Sequence, residues 1–384
     1  MSENTPRRIV VVTGTRAEWG LLAPVCEAIV ARTDLTLDVC AGGAHLLTPS
    51  NSSDDPTIRW VESSGHRVHS FVMQRSGETG RLADAAAVGR GVSALTTLFE
   101  RLSPDFVVVL GDRIEAFAAA TAASIGGIRV AHIHGGDRAE GVADEAMRHA
   151  ITKLAHIHFP ASAESAARIE RLGEDPARIH LVGSPAVDGI AAIRPATDQE
   201  HAEVGAPDFI FLMHPIGRTD EAEERDAYAV LETLAARGRV LALQPNSDPG
   251  REGIARAIQI VAGRRRDHVR AVHHLPRERF VALLKHASVQ AIVGNSSAAL
   301  IECAALGVRA LNIGDRQRGR ERADNVRDVA SGDLAGLARE LDTLASWRPS
   351  GVHPYLAGGA SARIAETLAT CDLAAHGLAK RCTY

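Results

Sequence analysis

Residues Arg8-Ile9-Val10-Val11-Val12-Thr13-Gly14-Thr15-Arg16 join an unbroken apolar run to a glycine turn. A helical pattern follows, with Leu21, Leu22, Val25 and Ile29 on one face. A strand apolar on both faces must be covered on both faces, which is the condition of a central strand in a parallel sheet. Working outward, residues 35–40, 106–110, 128–133, 156–160 and 179–182 read as further short buried strands. Helical segments such as 114–124 and 143–154 lie between them. Strand and helix alternate throughout, so the expected fold class is α/β with a parallel sheet covered on both sides.

Gly183-Ser184-Pro185 interrupts this rhythm, which restarts after a polar stretch at 194–208. Strands are then expected at 209–213, 239–243, 269–273, 291–293 and 309–313, separated by helices near 221–236, 252–262, 277–286 and 298–306. The pattern predicts two Rossmann-like domains facing a central cleft. The first covers 1–186, and a C-terminal helix within 360–384 returns to it. The second, nucleotide-binding domain covers 187–359. Residues 51–56 are expected to form a polar loop. In such sheets ligands bind beyond the carboxyl ends of the strands.

At 384 residues the chain suits two cores better than one. No apolar run approaches the roughly 20 residues needed to cross a bilayer. The start of the chain is polar and lacks a signal-peptide pattern, so the reading is cytoplasmic, with no membrane partner. A net charge of −4, with lysines and arginines scattered, gives no footprint for nucleic acid. Cys26, Cys40, Cys303, Cys371 and Cys382 lie far apart, which argues against a zinc ribbon or disulfide framework. An anionic substrate must then be held by local positive groups.

The strand ends carry the candidates. Thr13-Gly14-Thr15-Arg16 is a glycine turn into a helix, which suits an anion or is an ordinary βα turn. It lacks the GK[ST] ending of a Walker loop. Gly111-Asp112-Arg113 sets a carboxylate beside a guanidinium, as an active site or a structural ion pair would. The densest stretch is His132-Ile133-His134-Gly135-Gly136-Asp137, continuing through Glu140, Asp144, Glu145, Arg148 and His149. Its paired glycines permit close backbone approach, and Asp144 and Arg148 share a helix face. His132 and His134 are the candidates for a metal site, but no HExxH-type motif appears and the reading is no metal and no cofactor. In the second half, His214 ends one strand. Gly294-Asn295-Ser296-Ser297 opens a helix after another, either as a diphosphate cradle or as a plain serine N-cap. Glu302 is placed to reach a ribose diol, and Arg316 adds a cation.

Together these motifs resemble the hydrolysing UDP-N-acetylglucosamine 2-epimerases. The resemblance rests on TGTRAEWGLL (13–22), LGDRIEAF (110–117), HIHGGDRAEGVADEAMRHAITKLAHIHF (132–159), QPNSDPG (244–250), GNSSAALIE (294–302) and NIGDRQRGR (312–320), in order over most of the chain. It implies a glycosyltransferase-B-like fold and conversion of UDP-N-acetylglucosamine to UDP and free N-acetylmannosamine, a step towards sialic acid. It further implies Asp112, Asp137, Asp144 and His214 as the catalytic group, with Arg16 and Arg113 lining the first-domain side. Ser296, Ser297 and Arg316 would hold the diphosphate, Glu302 the ribose, and His274 and Leu275 the base, with Asn246 nearby. A homodimer or homotetramer is the implied assembly. Asp137 stands where the family usually has glutamate, one methylene longer. That departure leaves the sugar open to a GDP-linked, CMP-linked or 2,4-diacetamido alternative. A sugar transferase of the same architecture and a non-catalytic nucleotide-sugar sensor are the competing readings. The carboxylate-rich 137–145 stretch weighs against both.

Overall fold

The computed structural model describes residues 5–47, 57–78, 80–138, 145–246, 250–374, 377–381 and 383. The chain divides into two compact units. One comprises Met1–Asp137, Asp144–Asp188 and Leu356–Tyr384, the other Arg138–Ala143 and Gly189–Tyr355. The 51–56 loop lies outside the described residues, as do Asp144, Glu140 and Cys382. Cys26, Cys40, Cys303 and Cys371 are buried free thiols. Among the described residues no helix is long and apolar enough to cross a membrane.

The first unit contains strands β1 (Arg7–Thr13), β2 (Leu35–Gly42), β3 (Val68–Phe71), β4 (Phe106–Leu110), β5 (Arg129–Ile133) and β6 (Ile157–Phe159). Its helices are α1 (Arg16–Val30), α2 (Ile58–Glu62), α3 (Arg81–Leu102), α4 (Ile114–Ile125), α5 (Glu145–Leu154) and α6 (Ala163–Arg171). The strands form one parallel sheet in the order β3-β2-β1-β4-β5-β6, with Val11 opposite Val39 on one side and Val108 on the other. Alternate residues of β1 face opposite layers. Ile9 and Val11 pack with Leu22, Val25 and Ile29 of α1, whereas Val10 and Val12 pack with Leu95 and Phe99 of α3 and the alanines of α4.

The second unit repeats the plan with β7 (Phe209–Leu212), β8 (Val240–Leu243), β9 (Val269–Val272), β10 (Ala291–Gly294), β11 (Ala310–Ile313) and β12 (Val326–Val329). Its helices are α7 (Asp198–Glu203), α8 (Asp220–Ala235), α9 (Arg251–Arg264), α10 (Arg277–Leu284), α11 (Glu302–Leu306) and α12 (Leu334–Thr343). The sheet order is β12-β11-β10-β7-β8-β9, again all parallel. A final helix, α13 (Ala360–Thr370), returns to the first unit, where Ile364, Ala365 and Leu368 join the core beside α1. Asp188 anchors its start by accepting from the Ala360 and Ser361 N–H groups at 3.0 and 2.7 Å. The fold is the two-domain α/β arrangement expected.

Several elements differ from expectation for identifiable reasons. Residues 179–182 run beside β6, with His180 N–H on His158 O at 2.9 Å and Val182 N–H on Pro160 O at 3.2 Å. Gly183, at φ 82°, and Pro185 then turn the chain away, and only a single bridge forms. The edge strands β3 and β12 are short, and each mixes buried with polar exposed positions, so neither reads as a buried run. Helix α3 is rich in alanine and glycine and has little apolar periodicity to detect. The expected helix at 298–306 is a 3₁₀ turn, Ser297–Ala299, followed by the short α11.

Both sheets reverse their winding direction at the central pair, β1/β4 and β7/β10. In doubly wound sheets that is where the loops part to admit a ligand. Gly294 shapes the second of these points. Its φ is 148°, and a Cβ there would meet Leu212 O at 2.0 Å. Gly294→Ala is therefore expected to lower stability by about 2 kcal/mol or more through overpacking against fixed backbone, read as a reduced midpoint in urea denaturation.

Candidate functional site

In the first unit, the β1 turn is closed by its own helix. Thr15 caps α1 by accepting from Glu18 N–H at 3.3 Å, while Glu18 Oε2 accepts from the Gly14 and Thr15 N–H groups at 2.7 and 3.0 Å. This is a capping box. It occupies the Gly14 and Thr15 N–H groups, as an ordinary self-capped βα turn does. Arg16 stacks over the half-exposed ring of Trp60, 5.6 Å from its centroid. Beneath the turn, the fully buried Glu115 carboxyl packs where Cβ atoms on Gly14 and Gly43 would otherwise sit. Arg113 Nε lies 3.4 Å from Glu115 Oε2. Burial, and then the Glu115 charge, raise Glu18 from its ordinary 4.5 to about 7, against the lowering influence of Arg113 and the two N–H groups. His45, also fully buried, bridges Thr13 Oγ1 at 3.0 Å and Thr57 Oγ1 at 2.9 Å. Burial lowers it to about 4.

At the ends of β4 and β5, Asp112 forms an ion pair with Arg148, which reaches it from α5 and is 3% exposed. Asp112 itself retains some exposure. His132 is fully buried: its Nε2–H donates to Gly111 O at 2.7 Å, and Thr152 Oγ1 lies 3.3 Å from Nδ1. Burial holds its pKa down at about 3, so this ring is a neutral strut under the Gly111-Asp112 turn. His134, in the left-handed region at φ 61°, lies 2.8 Å from Asp137 Oδ2 through Nδ1 and 2.9 Å from Ser184 Oγ through Nε2. Ser165 Oγ–H donates to the other Asp137 oxygen at 2.8 Å. Asp137 is only 5% exposed.

In the second unit, Asn295 organises the loops. Its side-chain amide forms a two-way clamp on the His214 backbone, Oδ1 accepting from N–H at 2.6 Å and Nδ2 donating to O at 2.8 Å. Arg316 Nη1 and Gln317 Nε2 donate to the Asn295 carbonyl at 3.3 and 2.8 Å. The Asn246 N–H donates to His214 Nδ1 at 3.1 Å. A neutral His214 ring therefore carries its proton on Nε2, which makes that edge a hydrogen-bond donor. Ser296 is buried and caps the 3₁₀ turn through the Ala298 N–H at 3.3 Å, so it is a serine cap, with the half-buried Ser297 beside it. Glu302 is half-buried on α11, and His274 and the buried Leu275 follow β9. The β7, β10 and β11 ends thus bring His214, Asn295 and Arg316 onto one hydrogen-bonded frame.

Residues 27–369 match the UDP-N-acetylglucosamine 2-epimerase family profile. The chain belongs to that family. A UDP-N,N'-diacetylbacillosamine 2-epimerase (hydrolyzing) from Legionella pneumophila is 35% identical, over 84% of this chain and 85% of the relative. A UDP-N-acetylglucosamine 2-epimerase from Neisseria meningitidis serogroup B is 32% identical, over 83% of each chain. Among solved structures, the Methanocaldococcus jannaschii UDP-GlcNAc 2-epimerase in complex with UDP-GlcNAc and UDP superposes with a TM-score of 0.78. That match is at 16% identity, covers 94% of this chain and 99% of the other, and speaks for the fold.

Within this epimerase-family chain, Asn295, Gln317, Glu115, His45 and Ser165 emerge only from the structure. Sequence offers no signal for them beyond their places near strand ends and in quoted motifs, because buried polar side chains reveal themselves by their partners. One consequence is measurable. The folded chain binds the Glu18 proton more tightly than the unfolded chain does. The stability from that protonated carboxyl is complete below pH 4.5 and is lost as pH rises through about 7. Glu18→Gln keeps an acceptor for the turn but does not ionise. Its denaturation midpoint is expected to fall less than that of the wild type between those two values.

Proposed function

We propose that this protein is a hydrolysing 2-epimerase that cleaves a UDP-linked 2-acetamido sugar to UDP and the free sugar inverted at C2. The observation that carries this reading is the frame built on Asn295, which clamps the His214 backbone and accepts from Arg316, with the His214 ring taking the Asn246 N–H on Nδ1. Such a frame offers cationic and neutral donors to a diphosphate leaving group as its negative charge grows. Glu302 is assigned to the ribose, and His274 and Leu275 to the base.

The C2 proton of an intact sugar is weakly acidic, so departure of UDP from C1 leads. As positive charge grows at C1, a carboxylate takes the C2 proton and a C1–C2 glycal forms. Water then adds its oxygen to C1, and a proton returns to the opposite face of C2. One water is consumed for each UDP and free sugar released. The scheme needs a base and an acid, and Asp112, Asp137 and Asp144 are the groups assigned to them. Arg148 pairs with Asp112 at this position. Arg113 and Arg16 are assigned to the sugar side.

The Legionella relative, named for a 2,4-diacetamido sugar, is 35% identical, against 32% for the Neisseria relative, named for N-acetylglucosamine. This similarity supports testing both UDP sugars. Proton NMR in deuterated water is expected to show UDP release together with the epimerised sugar deuterated at C2. UDP release with undeuterated, uninverted sugar would sink the elimination scheme. Asp112→Asn is expected to lower kcat about 100-fold or more, the scale of a lost proton-transfer group, while calorimetric UDP affinity stays within about twofold of wild type.

A further inference from the structure

Asp137 follows the paired glycines after β5 as a buried carboxylate, 5% exposed. The structure shows what surrounds it. His134 Nδ1 is 2.8 Å from Asp137 Oδ2, and Ser165 Oγ is 2.8 Å from Oδ1. Ser165 lies in the first turn of α6, whose N-terminal end favours an anion. On its far side the His134 ring meets Ser184 Oγ at 2.9 Å, and Ser184 Oγ accepts in turn from the Ala186 N–H at 3.2 Å. With a neutral ring and an ionised carboxylate, the donors and acceptors along this chain are consistent in one way only. Nδ1–H donates to the carboxylate, and the Ser184 hydroxyl donates to Nε2.

The arrangement has the form of a Ser-His-Asp series, but Ser184 is fully buried and cannot present a nucleophile. It is a brace. Its construction strains the backbone: His134 has φ 61° and Gly136 φ 75°, and a Cβ on Gly136 would meet Ser165 O at 2.2 Å. A non-glycine residue rarely adopts that region and persists there where surrounding contacts enforce it. Resting on the function proposed above, we infer that His134 is a positioning residue for proton transfer. Held between Ser184 and Asp137, it orients the Asp137 carboxylate and completes a histidine–aspartate unit.

Among the described residues, charged and titratable groups on the neighbouring elements have partners of their own. His132 on β5 is engaged by Gly111 and Thr152. His158 on β6 is bound to Glu174. Arg168 on α6 donates to Gly136 O at 2.8 Å and lies 3.4 Å from Ser165 Oγ. Arg148 on α5 pairs with Asp112.

The test combines kinetics on UDP-N-acetylglucosamine and UDP-N,N'-diacetylbacillosamine with nitrogen-15 NMR of the histidine rings. The chain has 17 histidines, so the His134 resonances are assigned by their loss in His134→Asn. In the wild type a neutral His134 is expected to carry its proton on Nδ1, and a proton on Nε2 overturns the brace without reference to any substrate. His134→Ala is expected to lower kcat about tenfold or more, the scale of a misplaced reacting group, with KM little changed and the acid limb of the kcat/KM profile displaced. His134→Asn tolerates the left-handed backbone and keeps an amide donor. It is expected to recover part of kcat but not the limb. An unchanged kcat and pH profile in both variants overturns the inference. Ser184→Ala, which keeps the fold's small side chain, is expected to show the same limb displacement with a smaller loss of kcat, and should His134→Ala not fold, an unmoved profile in Ser184→Ala overturns it equally. If the wild type releases UDP from neither sugar, the proposed reaction fails, and the ring tautomer separately decides the brace.

Discussion

Hydrogen bonding between the parallel neighbours β1 and β4, and between β7 and β10, is the constraint on which both halves of this protein depend. Each pair joins strands that are far apart in sequence, and each marks the place where the sheet begins to wind the other way. Loops leaving the two strands then go to opposite faces of the sheet. Gly14 and Asp112 follow β1 and β4 in the first unit, and His214 and Asn295 follow β7 and β10 in the second. Without that reversal, helices would cover the same strand ends and leave no opening for chemistry.

Holding polar groups at such openings requires partners for everything that is buried. The second unit solves this with neutral amides. Asn295 binds the His214 backbone in both directions and receives Arg316 and Gln317 on its own carbonyl, so three loops share one reference point. The first unit uses ionisable groups. Asp112 meets Arg148, Asp137 meets His134, and Glu18 lies close enough to Glu115 for each charge to be felt by the other. Burial strengthens such couplings and makes an unpaired member costly. The Asn295 clamp itself uses no titratable group, whereas the carboxylate frame does.

Much of this was legible in the chain itself. The runs at 8–12 and 106–110 are apolar on both faces, so central parallel strands follow from local chemistry alone. The motifs at 110–117 and 132–159 marked where a carboxylate-rich site was to be expected, because so many ionisable residues rarely gather without a task. The 13–16 turn was ambiguous. Its anion-binding and ordinary readings differ only in whether Glu18 folds back onto Gly14 and Thr15, and that depends on the space left by Glu115. The helix expected at 298–306 is broken at Leu300-Ile301, a break that a run of good helix formers does not reveal.

Sequence by itself determined the strand and helix rhythm, the two-unit organisation of the sheets and the residue types at the strand ends, since these rest on periodicity and local turn chemistry. Tertiary structure alone decided which polar groups are partners. Arg148 finds Asp112 from another element, His134 finds Ser184 across 50 positions, and Asn295 finds His214 across 81. Such pairings depend on the three-dimensional register of parallel strands, and a pattern read along one dimension carries no measure of it.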